Sequence, residues 1–198
     1  MIGQFLVNGI ITGVLYSLLA IGFALVYNTT KIFHIAAAAI YVFAAFMFYL
    51  FAVPLGLPIL VAALMAILQG CSDIADEVGS SKIYAAWHGE DVTYIESPHS
   101  YMSITDFRNN IISIQNAYMG GIEGQRDEGK SLHSYLKSLN AGLDSQVLAA
   151  IDNALAKIDA MPAPFALHYS EAVNGEAVEA CAALSDALGE AIDAIRNN

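Results

Sequence analysis

Charged residues are distributed very unevenly along this chain of 198 residues. Between Met1 and Ser72 the only charged side chain is Lys31, and the other 7 basic and 19 acidic residues lie between Asp73 and Arg196. A single globular domain carries charges over its whole surface, so this division indicates two modules. We therefore predict an apolar membrane segment at residues 1–63 and an acidic helical domain at residues 64–198.

The apolar module has the length and composition of membrane-spanning helices. Residues 2–27 form a run of 26 without a charge, and residues 32–53 form a second run of 22. About 20 such residues cross the hydrocarbon core of a bilayer. The alternative, two helices buried in a soluble core, is less favoured because a helix that is apolar all round needs lipid or a large protein around it. The sequence thus predicts two transmembrane-type helices.

The acidic module repeats apolar residues at every third or fourth position, and it contains no run with the alternation of a β-strand. Gly79–Ser81 is expected to end the first helix and Gly120 the second, while Asp144 is expected to cap the fourth. We predict an all-α fold with an up-and-down bundle of about five helices. The apolar stripes that indicate these helices begin at Leu64, Phe107, Leu132, Val147 and Val178.

Composition excludes several classes of function. A net charge of -11 and a pI near 4.6 repel phosphate, so nucleic acid is not expected as a partner. Two cysteines cannot form a disulfide framework or a four-cysteine zinc site. Cys71 and Cys181 fall on apolar stripes, which favours core packing, with a single disulfide as the alternative. No nucleotide-binding loop or nucleophile elbow occurs.

Two groups of residues are candidate metal ligands. Asp73 with Asp76 or Glu77 would place two carboxylates on one helical face, where they suit hard cations such as calcium or ferric iron. His88, Glu96 and His99 in the next loop could complete such a cluster, and a solvated acidic face is the alternative. The second group is His168 with Glu171, because residues three apart share a helix face and could share a metal. Its alternative is a loop that enters a helix with a solvated glutamate.

The first 60 residues resemble the start of branched-chain amino acid ABC transporter permeases. The resemblance rests on small residues and tyrosines at fixed offsets in Phe5–Gly9, Gly13–Gly22, Leu25–Tyr27 and Lys31–Ala36. It implies membrane helices and, as partners, other permease subunits. The further spans and the ATPase-docking loop of that family are not present, so transport by this chain alone is not expected.

Residues from about 64 to 198 resemble the imelysin family. The segments that carry this resemblance are Gly70–Ile83, Tyr94–Ser100, Thr105–Ile111 and Ser113–Tyr118. The resemblance implies an extracytoplasmic helical protein, linked to iron uptake and classed as a metallopeptidase. The family's metal motif, Gly-x-His-x-x-Glu, lies in an N-terminal half that this chain lacks, so the resemblance implies a partial imelysin-like fold without a competent peptidase.

Together these features predict a membrane-tethered imelysin-like domain that binds a divalent metal or iron. We expect it in the bacterial inner membrane, with the C-terminal domain in the periplasm or outside the cell. Its expected partners are the membrane, a metal ion and a second copy of the chain. One alternative is a truncated permease fused to a foreign domain, and another is a non-functional chimera of two gene fragments.

Overall fold

The computed structural model describes residues 58–89, 92–127 and 129–198. Within these ranges the backbone forms helices, turns and loops, with no β-strand, which confirms the all-α prediction for this part of the chain. The elements in order are α1 (Ile59–Asp76), a π-helical segment (Glu77–Tyr84), α2 (Ala85–Trp87), a 3₁₀ turn (Val92–Tyr94), α3 (Ser103–Met119), α4 (Leu132–Leu139), α5 (Ala141–Asp159), α6 (Phe165–His168) and α7 (Val173–Arg196).

The four long helices form an up-and-down bundle. Helix α7 packs against α1 on one side and against α5 on the other, and α3 closes the bundle between α1 and α5. The α1 and α7 helices are antiparallel, because Ser72 of α1 contacts Ser185, whereas Trp87, further along the chain on α2, contacts the earlier residue Gly175. The contacts between α3 and α5 follow the same antiparallel pattern.

The core of the bundle consists of the apolar stripes that the sequence displays. Every long helix contributes side chains that solvent does not reach, and burial of one such side chain stabilises the fold by about 1.5–3 kcal/mol. Both cysteines lie in this core with free thiols, as their position on apolar stripes predicts. The largest buried aliphatic residues are Met65, Leu68, Ile83, Ile111, Ile114, Leu136, Ile151, Ile158 and Leu184.

The first helix does not end at Gly79–Ser81, and that prediction is wrong. The chain continues there as the π-helical segment, whose hydrogen bonds join residues five apart and bring such residues onto one face. Val78 and Ile83 are five apart and both fully buried. A Cβ at residue 79 would lie 2.9 Å from the Cβ of Cys181. Gly79 therefore allows close helix packing and does not act as a stop.

The caps of the later helices agree only in part with those predicted from the sequence. Gly120 ends α3 with a left-handed φ of 76°, as predicted. The N-cap of α5 is Asn140, whose Oδ1 accepts a hydrogen bond from the Leu143 amide at 3.1 Å. Asp144 lies one turn further into the helix. The prediction that Asp144 caps α5 is therefore wrong.

The predicted membrane-spanning runs at 2–27 and 32–53, and the permease-like segments within them, lie outside the described residues. Among the helices of the described part of the chain, none combines the length and the apolar character that crossing a bilayer requires.

Candidate functional site

The predicted carboxylate face lies at the end of α1, and its members have different environments. The Oδ1 atom of Asp73 accepts a hydrogen bond from Gln69 Nε2 at 2.9 Å, and its Oδ2 atom is buried without a hydrogen-bond partner. Asp76 is exposed, and Ser80 Oγ donates to its main-chain carbonyl at 2.7 Å. One carboxylate therefore lies partly inside the protein while the next is in solvent.

Glu77 belongs to a charge cluster centred on Lys82. The Lys82 Nζ atom lies 3.6 Å from Glu77 Oε1 and 3.1 Å from Glu96 Oε2, and the latter oxygen is buried. The contact with Glu96 has the distance of an ion pair without the angles of a hydrogen bond, so its attraction is Coulombic. Lys82 thus offsets two carboxylates and joins the π-helical segment to the loop before α3. His88 and His99 are exposed.

His168 and Glu171 are adjacent in the structure. The His168 Nδ1 atom lies 2.6 Å from Glu171 Oε1, and both side chains are partly open to solvent. Packing holds the segment of His168 in place, because the preceding Phe165 is buried and its ring packs edge-on against that of Phe107. The Nδ2 atom of Asn174 also donates to the carbonyls of residues 168 and 169, both at 2.9 Å. His168 therefore ends a short helix that is fixed to the bundle, and Glu171 lies outside that helix, in the connection before α7.

Across residues 58–89, 92–127 and 129–198, no three His, Cys, Asp or Glu side chains come together in a way that could hold a metal ion. The predicted ligands instead form two separate groups, one at the end of α1 and one between α6 and α7. Metal binding at either group stays a prediction. His168 and Glu171 fit it better, because a nitrogen and an oxygen donor already face each other there.

A buried polar cluster, which sequence reasoning missed, joins three helices. Asp144 of α5 is only 2% exposed. Its Oδ1 atom accepts a hydrogen bond from the Tyr118 hydroxyl at 2.8 Å and contacts His133 Nδ1 at 2.7 Å. Tyr118 ends the apolar stripe of α3, and His133 lies on α4. A single carboxylate oxygen therefore ties α3, α4 and α5 together.

The electrostatics of this cluster keep its phenol protonated. Burial raises the pKa of Tyr118, and the hydrogen bond to Asp144 together with the negative charge of that carboxylate raises the pKa further. Asp144 lies in the first turn of α5, where the helix dipole favours a negative charge. The cluster is consequently a closed structural network and not an open site for a ligand.

The sequence contained a signal for this cluster. Asp144 precedes Val147 by three residues and Ile151 by seven, so it lies on the apolar face of its own helix. A carboxylate in that position must find partners when it is buried. The periodicity of α5 and α3 thus indicates that Asp144 and Tyr118 face the core, but it does not indicate that they meet.

Comparison with known proteins gives a consistent result. The peptidase M75 family, Imelysin, matches residues 60–195. A crystal structure described as an iron-regulated protein A precursor from Parabacteroides distasonis superposes with a TM-score of 0.61 at 34% identity, covering 68% of this chain and 42% of that one. An imelysin peptidase from Bacteroides ovatus superposes with a TM-score of 0.62 at 28% identity, covering 77% and 49%. No curated protein matches the chain.

The chain therefore spans less than half the length of either solved relative. The resemblance seen in Gly70–Ile83 and in the three later segments is confirmed, because all four fall within the matched residues.

Proposed function

Since this chain belongs to the imelysin family, we propose that it is a membrane-tethered, extracytoplasmic domain that binds a metal ion, with iron as the first candidate, and does not cleave peptides. The two solved relatives are described by different functions, one as iron-regulated and one as a peptidase. The sequence favours the first description. Its His168-x-x-Glu171 lacks the glycine that precedes the histidine in the family's metal motif.

The observation that carries this proposal is the 2.6 Å contact between His168 Nδ1 and Glu171 Oε1. Imidazole nitrogen suits ferrous iron and zinc, and a carboxylate oxygen suits harder cations. A metal ion could replace the proton that the two atoms share, since both side chains are accessible to solvent. Two protein donors leave coordination positions for water or for donors outside the described residues.

Membrane tethering is supported by the sequence before α1. The charge-free runs at 2–27 and 32–53 each exceed the roughly 20 residues that span a bilayer. Placement outside the cytoplasm follows from the positive-inside tendency, because Lys31 lies between the two runs and would face the cytoplasm.

The test is thermal unfolding of the full chain in detergent micelles, with and without ferrous, ferric, zinc or calcium ions. A ligand of the native state stabilises it by mass action, by about 2.7 kcal/mol at a free concentration 100 times the dissociation constant. We expect one metal to raise the melting temperature, and the double variant His168→Asn, Glu171→Gln to abolish the rise. The matched control is Glu179→Gln, Glu190→Gln, which changes two exposed glutamates that belong to neither predicted metal group.

Two results would contradict the proposal. A melting temperature that no metal changes, or an equal loss in the control variant, would exclude binding at His168 and Glu171. Metal-dependent cleavage of peptides by the purified chain, lost in the double variant, would show that the domain is an enzyme.

A second candidate is a permease-derived subunit with a foreign C-terminal domain, and the Gly13–Gly22 segment favours it. Co-purification with an ATPase or a partner permease would support this candidate, and the failure to capture either would count against it. The family match begins only a few residues after the second apolar run, which also suits a chimera of two gene fragments. Sequencing the coding locus across the codons for residues 58–72 distinguishes a continuous gene from such a chimera.

A further inference from the structure

Asn174, in the first turn of α7, is bonded to the main chain of both members of the proposed donor pair. Its side chain is completely buried. The Nδ2 atom donates to the carbonyls of His168 and Tyr169, both at 2.9 Å. Its main-chain N–H donates to the carbonyl of Glu171 at 3.1 Å. One buried residue therefore makes three hydrogen bonds to the segment that carries His168 and Glu171.

The orientation of the Asn174 amide is fixed by these contacts. Main-chain carbonyl oxygens only accept hydrogen bonds, so the nitrogen of the amide must face them and its Oδ1 atom must face away. Oδ1 is buried and finds no donor among the residues that the structure describes. A buried acceptor without a donor lowers stability. The side chain thus satisfies the carbonyls of residues 168 and 169 while its own oxygen is left without a protein donor.

The segment that Asn174 contacts has little intrinsic order. Helix α6 has four residues, far fewer than the roughly 12 that make an isolated helix even marginally stable. Beyond it, a turn in which the Glu171 amide donates to the His168 carbonyl at 3.1 Å brings the two side chains together. The packing of Phe165 fixes the start of α6, whereas the hydrogen bonds of Asn174 fix its end and the turn. The contact between the imidazole and the carboxylate therefore depends on Asn174.

We propose that Asn174 is the positioning residue of the metal site formed by His168 and Glu171, and that it sets the affinity of that site. This inference rests on the proposed function. With the turn already formed, a metal ion does not have to order the chain as it binds, and more of the interaction energy appears as affinity. Asn174 acts through the main chain and does not touch the metal itself. Loss of a group that orients metal ligands typically weakens binding by about 10–100-fold.

The test is isothermal titration calorimetry of the full chain in detergent micelles, with zinc ions and, without oxygen, ferrous ions. We expect Asn174→Ala to raise the dissociation constant about 10–100-fold. The matched control is Gly175→Ala, the next residue along α7. Its new methyl group displaces Trp87 and loosens the same end of the helix, but it leaves the hydrogen bonds of Asn174 in place. We expect this control to lower the melting temperature with the dissociation constant unchanged.

A second variant keeps the test decisive if Asn174→Ala does not fold. Asn174→Ser retains a polar side chain, but its hydroxyl is one atom too short to reach the carbonyls of residues 168 and 169. The same loss of affinity is expected for it. Binding as tight as that of the unchanged chain, in either folded variant, would contradict the positioning role.

The results separate this inference from the proposed function. If the unchanged chain binds neither ion, or if the double variant His168→Asn, Glu171→Gln binds as well as the unchanged chain, the proposed function fails and the inference fails with it. If only the Asn174 variants bind normally, the metal site stands and its dependence on Asn174 is wrong. If Gly175→Ala weakens binding as much as Asn174→Ala, the loss reflects general loosening of α7, and the positioning role is also wrong.

Discussion

The indole ring of Trp87 lies directly against the backbone of Gly175. A Cβ placed on residue 175 would lie 2.7 Å from Cη2 of that ring, closer than any real contact. The end of the first helical stretch therefore packs on the start of α7 through a residue without a side chain.

Replacement of Gly175 by alanine is expected to destabilise the bundle. The added methyl group must displace Trp87, and overpacking of this kind costs about 1–3 kcal/mol. The matched control is Gly189→Ala in the same helix, where no atom lies within 4 Å of the new Cβ. There the higher helix propensity of alanine is expected to stabilise the protein by up to about 1 kcal/mol. Urea denaturation followed by helical circular dichroism measures both, and equal effects in the two variants would contradict the packing argument.

The buried cluster around Asp144 predicts which substitution in it lowers the stability of the fold more. Tyr118→Phe removes one hydrogen bond to a charged group and is expected to cost about 1.5–3 kcal/mol. Asp144→Ala is expected to cost more, because it leaves both the Tyr118 hydroxyl and His133 without their shared acceptor. If urea denaturation shows Tyr118→Phe to be the more damaging change, Asp144 is not the centre of the network.

Alkaline pH is expected to destabilise the fold. Burial raises the pKa of Cys71 from 9.0 to about 11 and that of Cys181 to about 12, and the pKa of Tyr118 is also raised. The folded chain thus keeps protons that the unfolded chain releases, so this part of the stability is complete below pH 9 and declines as pH rises through 11 and 12. The free energy of unfolding in urea, measured from neutral to alkaline pH, should fall accordingly. The double variant Cys71→Ala, Cys181→Ala should show a shallower fall, and an unchanged slope would contradict this assignment.

The contacts of Lys82 predict that its replacement destabilises the protein more than removal of the charge of Glu77. Lys82→Met leaves the buried Glu96 oxygen without its counter-charge and is expected to cost about 1–3 kcal/mol, less than the loss of a partner in a fully buried pair. Glu77→Gln removes an exposed partner and is expected to cost less than about 1 kcal/mol. Thermal unfolding of the two variants side by side tests the difference. Equal losses would show that Lys82 pairs with both carboxylates to the same extent.

Apolar periodicity was sufficient to predict the long helices, because the burial of a stripe is what each helix contributes to the bundle. It failed at Gly79–Ser81, where small residues that normally end a helix instead permit a close contact with α7. It also could not reveal the cluster of Tyr118, His133 and Asp144. The face of each of those residues is a local property, whereas their meeting depends on how three helices are arranged.

The proximity of His168 and Glu171 could be predicted from the sequence because it is also a local property. His168 and Glu171 are three residues apart, and a turn in which the Glu171 amide donates to the His168 carbonyl brings their side chains together. Lys82 and Glu96 are far apart in sequence, and the sequence alone provides no measure of their distance. Local pairs are thus predictable from spacing, and pairs between elements are not.

The π-helical segment has a consequence for changes in chain length. Between Glu77 and Tyr84 the helix is wound more loosely than on either side. This stretch therefore holds more residues than an α-helix of the same length would. Ser80 and Ser81 are exposed there. Deletion of one of them can be absorbed by tighter winding, with the flanking residues kept in place. A deletion within α5 would instead rotate half of its buried face into solvent, so this segment is where the bundle best tolerates the loss of a residue.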